Sequence, residues 1–151
     1  MIQSKLRKVG KSNSSKLKAR ADKYFSQYIR LRDMIPGTTL FRCISCGKIY
    51  TISKADCGHY INRSHMATRY SEINCNAQCR FCNRFDEGNM SGYRIGLMKK
   101  HGERAVILLE SMKNQTNKIS EFEYEAMIQH YKERISQILK ERRLTIKCLA
   151  E

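Results

Sequence analysis

Two short cysteine motifs, Cys43-Ile-Ser-Cys46 and Cys79-Arg-Phe-Cys82, decide how this chain of 151 residues is organised. Each motif is a Cys-x-x-Cys pair, and a long insert separates the two. Together they offer four thiolates, the ligand set of a closed, tetrahedral zinc site with a structural role. Gly47, directly after the first pair, is typical of a tight turn behind such a motif. The sequence therefore predicts one structural zinc ion held by Cys43, Cys46, Cys79 and Cys82.

Three further cysteines, Cys57, Cys75 and Cys148, make the total of seven odd. A secreted disulfide scaffold is usually shorter and carries an even number. In a reducing compartment, clustered cysteines more often hold metal. Cys57, Cys75 or His65 remains an alternative for one of the four zinc ligands, and Cys148 is expected to be a free thiol.

The charge of the chain points to a polyanion as its partner. It has 29 Lys and Arg residues against 14 Asp and Glu residues, for a net charge of +15. Basic side chains bind nucleic acid by displacing counterions from phosphates. No apolar run approaches the roughly 18 residues of a membrane-spanning helix, and the basic N-terminus lacks the apolar core of a secretory signal. We therefore expect a cytoplasmic, nucleic-acid-binding protein with no membrane partner.

Hydrophobic periodicity predicts an α+β fold that is mostly helical. Short strands are expected within residues 39–62. Ser120 and Glu123 form a capping box at the start of the last helix. The predicted helices span residues 15–33, 79–87, 89–101, 103–113 and 120–143. The predicted regions are a flexible basic arm (1–14), an N-terminal helix and linker (15–38), a zinc-stapled core (39–102) and a C-terminal helical region (103–151).

The last predicted helix carries an apolar stripe along one side. Its spacing favours core packing or a dimer seam over a ligand-binding role, so a homodimer is one expected assembly. The stripe consists of Tyr124, Met127, Ile128, Tyr131, Ile135, Ile138 and Leu139.

His59 lies in the insert between the two cysteine pairs, within Gly58-His59-Tyr60. A helix beginning near Cys79 would place Asn83, Asp86 and Glu87 on one face, and His59 on an extended segment could lie opposite it. Hydrolysis of a phosphodiester needs a base to deprotonate water and a cation to stabilise the developing charge. This arrangement favours a functional role for His59 over that of a packed histidine.

The segments CISCG, ADCGHYINRS, EINCNAQCRFCN and EGNMSGYRIGLMKKHG resemble the phage NinG/Rap family of recombination nucleases. They are similar, more broadly, to zinc-stapled HNH (ββα-metal) endonucleases. The resemblance covers residues 17–140, most specifically 41–102. It implies a treble-clef-like ββα-metal unit over 39–102 and a metal-dependent endonuclease that cuts branched DNA such as Holliday junctions and D-loops. It also implies a phage or prophage protein acting in the cytoplasm of a bacterial host.

The same resemblance implies roles for individual residues. His59 matches the general base of HNH motifs, and Asn74 matches the central asparagine that orients this histidine and its loop. Asn83 matches the distal ligand of the catalytic metal. Gly58 departs from the pattern, because many HNH enzymes have an aspartate or histidine ligand immediately before the catalytic histidine.

The departure at Gly58 requires another carboxylate for the catalytic cation. Asp56 is the first candidate and Asp86 the second, beside Asn83. Oxygen ligands of this kind suit Mg²⁺ or Mn²⁺, and the sequence does not choose between these two ions.

Basic residues are densest near the N-terminus, where a DNA-binding role competes with that of a solvated surface. A recombinase or a single-strand-binding protein is an expected further partner. The alternative function is a non-catalytic, zinc-containing module that binds DNA or assists recombination. The predicted DNA contacts are Lys8, Lys11, Lys16, Lys18, Arg20, Arg63, Arg80 and Arg84, with Arg69 as a further candidate.

Overall fold

A computed structural model describes residues 12–150 as two antiparallel β-hairpins among four α-helices. No helix within these residues is both long enough and apolar enough to span a membrane. The mixed α+β class is as predicted. In chain order the elements are α1 (Asn13–Arg32), β1 (Leu40–Arg42), β2 (Ile49–Thr51), β3 (Ala55–His59), β4 (Cys75–Cys79), α2 (Met90–His101), α3 (Glu103–Ser111) and α4 (Glu121–Glu141), with short 3-10 turns at Ile52–Lys54 and Ile146–Leu149.

Helix α1 begins inside the region predicted to be a flexible arm. Ser12 caps it, since the Ser12 hydroxyl oxygen accepts a hydrogen bond from the Ser15 amide at 3.3 Å. The predicted arm over residues 1–14 is therefore too long at its C-terminal end. Lys8 and Lys11, two of the predicted DNA contacts, lie outside the described residues.

The apolar stripe of α4 packs against α1 within the same chain. The ring of Tyr131 lies 5.1 Å from that of Phe25 and 4.9 Å from that of Tyr28, measured between centroids. The predicted capping box at Ser120 and Glu123 is present. The interpretation of the stripe as core packing is confirmed, because α1 covers it. Its buried members are Tyr124, Ile128, Tyr131, Ile135 and Ile138.

The two hairpins hold three of the four predicted zinc ligands and His59. In the first, β1 pairs with β2, and the Cys43-x-x-Cys46 motif forms the connection. In the second, β3 pairs with β4 so that Ala55 faces Cys79 and His59 faces Cys75. Every residue of β4 is buried. Its sequence, CNAQC, lacks the β-branched residues that mark strands, so no strand is predicted there.

The helix predicted over residues 79–87 is a single π-turn at Phe81–Phe85. Three successive residues with positive φ end it: Glu87 at 46°, Gly88 at 82° and Asn89 at 42°. The prediction that Asn83, Asp86 and Glu87 share one helical face is therefore wrong. Only Asn83 lies within the turn.

Helix α2 approaches the first cysteine motif with bare backbone. A Cβ at Gly96 would overlap the carbonyl group of Ile44, and one at Gly92 would overlap that of Ser45. These two glycines are one helical turn apart and therefore share a face. Glycine is needed at both positions because any side chain would push α2 away from the motif.

Asp33, at the C-terminal end of α1, joins three elements through one carboxylate. It accepts hydrogen bonds from Arg32 at 2.8 Å, from Lys100 of α2 at 2.8 Å and from the Ala77 amide of β4 at 2.8 Å. Burial by itself raises the pKa of Asp33, but the hydrogen bonds and positive charges of Arg32 and Lys100 outweigh it and hold the pKa below the usual 3.8. The ionised form therefore stabilises the fold.

Replacing Asp33 with Asn should lower the free energy of unfolding at pH 7 by about 3 kcal/mol, because Arg32 and Lys100 lose their buried partner. The folded-state pKa of Asp33 is depressed, so its contribution is complete above about pH 4 and is lost as the pH falls through the folded-state value. Urea unfolding of both proteins from pH 7 to pH 3 measures this. The difference should shrink in acid, whereas a constant difference would contradict the ionic explanation. Glu141→Gln, at an exposed position near the end of α4, is the control.

Candidate functional site

Four cysteine thiols meet where the two hairpins and the π-turn come together. The Sγ atoms of Cys43, Cys46, Cys79 and Cys82 all lie within 4.8 Å of one another, and those of Cys46 and Cys79 are 4.0 Å apart. Ligand sulfurs in a tetrahedral zinc site lie about 3.8 Å apart, given a zinc–sulfur distance near 2.3 Å. These four residues therefore fit a zinc ion, as predicted.

Neighbouring N–H groups point at these sulfurs. The Cys79 amide donates to Cys43 Sγ at 3.3 Å, and the side-chain amide of Asn89 donates to Cys82 Sγ at 3.5 Å. Such donors stabilise the deprotonated, thiolate form of cysteine, and the thiolate is the form that binds zinc. The alternatives considered for the ligand set lie elsewhere: Cys57 and Cys75 group with His59, and His65 contacts the carbonyl of Lys113.

A cleft of about 320 Å³ opens beside this cluster. His59, at the end of β3, lines it together with Asn83 of the π-turn and Glu87 just beyond that turn. The structure thus brings together two of the three predicted catalytic residues, His59 and Asn83. Of the two carboxylates expected opposite His59, Glu87 lines the cleft and Asp86 does not.

A single backbone contact orients His59. Its Nε2 lies 3.0 Å from the carbonyl oxygen of Arg69, and because a carbonyl only accepts, Nε2 carries the proton in the neutral ring. The other nitrogen, Nδ1, then has a free lone pair. Burial, together with the positive charges of Arg63 and Arg69, lowers the pKa of His59 below 6.5. The ring is therefore neutral at pH 7 and can accept a proton at Nδ1.

Asp22 of α1 holds the segment that presents this carbonyl. Its carboxylate accepts hydrogen bonds from Arg69 Nε at 2.9 Å, from Arg69 Nη2 at 2.6 Å and from the Tyr70 hydroxyl at 2.8 Å. Sequence reasoning missed Asp22, because its partners lie more than 40 residues away. It also proposed Arg69 as a DNA contact, which is wrong, since Arg69 is only 6% exposed and is bound to Asp22.

Asn74 closes the loop that follows β3. Its Oδ1 accepts from the Ile61 amide at 2.7 Å, and its Nδ2 donates to the carbonyls of Ile61 and Thr68 at 3.0 and 3.1 Å. Asn74 is completely buried and lies outside the cleft lining. It is therefore a positioning residue that shapes the loop around His59.

Gly58 has no room for the missing ligand. A Cβ at this position would overlap Oε1 of Gln78, whose amide nitrogen donates to Ser45 and to the carbonyl of Gly88. The glycine is a packing requirement of the β3–β4 pair. A carboxylate at this position would face Gln78.

Asp56, the first candidate for the missing carboxylate, is already engaged. It accepts two hydrogen bonds from Arg84, both at 2.7 Å, and one from Asn83 at 2.9 Å. Burial raises the pKa of Asp56, but these bonds outweigh it and hold the pKa below its usual value. Asp86 is exposed and does not line the cleft. Beside the Asn83 amide, two carboxylates line the cleft: that of Glu87, and that of Asp22, which is already bound to Arg69 and Tyr70.

The predicted DNA contacts fall into two groups. Lys16, Lys18 and Arg20 lie along α1 and Arg63 stands over the cleft, with its side chain 62% exposed and 3.2 Å from Asp22. Of the other two arginines, Arg80 directly precedes the π-turn and Arg84 lies within it, and both bind protein atoms. Arg80 donates to the carbonyl of Ser53 at 3.0 Å, and Arg84 pairs with Asp56.

Comparison with known proteins gives one consistent result. A family model described as "Bacteriophage Lambda NinG protein" matches residues 2–141. Protein ninG of Escherichia phage lambda is 34% identical over 113 residues, covering 74% of this chain and 52% of that protein. Protein ninG of Salmonella phage P22 is 34% identical over 109 residues, covering 71% and 50%. The chain spans about half the length of these relatives. No solved structure matches.

Replacing Cys79 with Ser should abolish zinc binding and unfold the central unit. A structural zinc ion contributes on the order of 10 kcal/mol, which is comparable to the whole unfolding free energy of a typical domain. Thermal unfolding followed by near-UV circular dichroism, with zinc content measured on the same sample, tests this. Cys148→Ser is the control and should keep both zinc and fold. Cooperative melting of the Cys79 variant without zinc would contradict the structural role.

Proposed function

The chain belongs to the NinG family, and we propose that it is a metal-dependent, structure-specific DNA endonuclease. Its substrate would be branched DNA, such as Holliday junctions and D-loops, and its reaction the hydrolysis of a phosphodiester bond. The resemblance of the motifs around His59 to HNH endonucleases supports the reaction class. The resemblance to the NinG/Rap family supports branched DNA as the substrate.

One observation carries the proposal: His59 has a neutral imidazole that is held by a hydrogen bond and lines an open cleft. Its Nε2–H is held by the Arg69 carbonyl, so that Nδ1 is the nitrogen that would take a proton from water. General base catalysis contributes typically 10²- to 10⁴-fold. A histidine that served only packing would not need to line the same cleft as Asn83. In the proposed reaction, Nδ1 takes a proton from water and the resulting hydroxide attacks the phosphorus. The bond between phosphorus and the leaving sugar oxygen breaks, and that oxygen takes a proton from solvent.

The cleft also provides oxygen ligands for a catalytic divalent cation. Asn83 and Glu87 would hold it, with the remaining positions left to water and to phosphate oxygens, as is usual for Mg²⁺. When bound, such a cation stabilises charge on the scissile phosphate and on the leaving oxygen. Asp56 stays bound to Arg84 in this arrangement and keeps Asn83 in place through its own hydrogen bond.

Basic residues along α1 would bind the DNA backbone near the cleft. Asp22 and Ser26 line the cleft, and Lys18 lies one helical turn before Asp22 on the same face. Arg63 completes this edge. Contacts of this kind provide affinity without reading base sequence, which suits an enzyme that recognises the shape of its substrate.

A second function is favoured by how far apart the acidic side chains lie. Besides the two cysteine-containing clusters, no set of three cysteine, histidine or carboxylate side chains within residues 12–150 brings its ligand atoms as close together. A chain without a working cation site would be a non-catalytic, zinc-containing DNA-binding module. Tight binding of a four-way junction with no cleavage in Mg²⁺ or Mn²⁺ would favour that function.

Replacing His59 with Ala should slow cleavage of a four-way junction by at least about 10²-fold, because the base is removed. Junction affinity should stay unchanged, since His59 contributes no positive charge at pH 7. The wild-type rate should be level above about pH 6.5 and fall in acid as the imidazole, whose pKa is lowered, becomes protonated. Exposed His130→Ala is the control. Equal losses of binding and cleavage would rule out the general base.

Replacing Glu87 with Gln should raise the Mg²⁺ or Mn²⁺ concentration needed for half-maximal cleavage and lower the maximal rate. The neighbouring Asp86→Asn variant removes the same charge outside the cleft and should cleave like wild type. Metal titrations of both variants on one junction substrate give the comparison. If Asp86→Asn were the impaired variant, the cation would lie outside the cleft lined by His59.

A further inference from the structure

A second cluster of metal-ligating atoms lies on the cleft side of the β3–β4 hairpin. The Sγ atoms of Cys57 and Cys75 and a ring nitrogen of His59 all lie within 4.8 Å of one another. The strand register explains why. His59 faces Cys75 directly across the hairpin, and Cys57 is two residues before His59, on the same face of β3.

The chemistry of these three ligands differs from that of the proposed catalytic cation site. Two sulfurs and an imidazole select a soft or borderline cation such as Zn²⁺ over Mg²⁺. Three protein ligands leave a fourth position open. Cys57 and His59 line the cleft, so a cation can arrive from solvent, while buried Cys75 lies behind them.

The surroundings of His59 match those of a metal-bound histidine. Ligating histidines generally donate their second N–H to a carbonyl or carboxylate, which sets the tautomer and the ring orientation. Here Nε2 contacts the Arg69 carbonyl, which also accepts from the Cys75 thiol at 3.4 Å, and Arg69 is itself held by Asp22. With Nε2 engaged in this way, Nδ1, also the proposed general base, is the nitrogen that would bind a cation.

We propose that Cys57, His59 and Cys75 form a second zinc-type site, separate from the four-cysteine cluster, and that its occupation switches off the proposed nuclease. On binding, the two thiols release their protons to solvent and the cation takes the lone pair of the imidazole. A cation in this position leaves His59 unable to accept a proton from water. The metal-binding half stands on geometry alone, and the inhibitory half rests on the proposed function.

The binding half is tested by adding Co²⁺ to the folded, zinc-loaded chain under a phosphine reductant. Wild type should take up one equivalent of Co²⁺ with a thiolate-to-cobalt charge-transfer band in the near ultraviolet. Cys57→Ser should weaken this binding by at least about tenfold and diminish the band. Cys148→Ser, which removes a thiol outside the cluster, should behave like wild type. The absence of the band in wild type, or an unchanged band in Cys57→Ser, would overturn the site.

The inhibitory half is tested by adding Zn²⁺ to junction cleavage reactions in Mg²⁺, with each variant compared with its own zinc-free rate. Zinc beyond the first equivalent should inhibit wild type and Cys148→Ser but spare Cys57→Ser. Equal inhibition of all three proteins would overturn the switch. If wild type cleaved no DNA in any metal, the proposed function would fail, whereas the cobalt titration would still decide whether the site exists.

Discussion

The convergence of four thiols within 4.8 Å is the constraint on which the rest of this structure depends. Cys43 and Cys46 come from the connection of one hairpin, while Cys79 ends the second and Cys82 lies in the π-turn. These elements are too short to be stable alone, because isolated two-stranded hairpins are marginal in water. A bound zinc ion would therefore hold the hairpins together and give the π-turn a fixed starting point.

The β3–β4 hairpin connects this structural centre to the cleft. One end pairs Ala55 with Cys79, at the cysteine cluster, and the other pairs His59 with Cys75, about 13 Å further along a strand of five residues. Because β4 is fully buried, its position is set by the core. The same hairpin thus joins the four-cysteine cluster rigidly to the residue proposed as the base.

Long-range contacts complete the cleft, so that its geometry depends on the packing of the whole fold. Asp22 of α1 holds Arg69, and the carbonyl of Arg69 orients His59. Asn74 holds the intervening loop through hydrogen bonds of its side-chain amide. Helix α1 is kept in place by α4 and by Asp33, so that packing far from the cleft still decides where the Nδ1 lone pair of His59 lies. A change in that packing would alter the reactivity of the imidazole even if the changed residue made no contact with the ring.

The sequence by itself determined the four-cysteine cluster, the α+β class, the core-facing stripe of α4 and the prominence of His59, because these follow from local spacing and residue chemistry. Tertiary structure alone decided that β4 is a strand, that the predicted helix after Cys79 is one π-turn, and that Glu87 but not Asp86 lines the cleft. It also decided that Asp56 pairs with Arg84, that Asp22 orients the Arg69 segment, and that Cys57 and Cys75 meet His59. The physical reason is that these outcomes depend on strand register and on partners dozens of residues away, which no local pattern encodes.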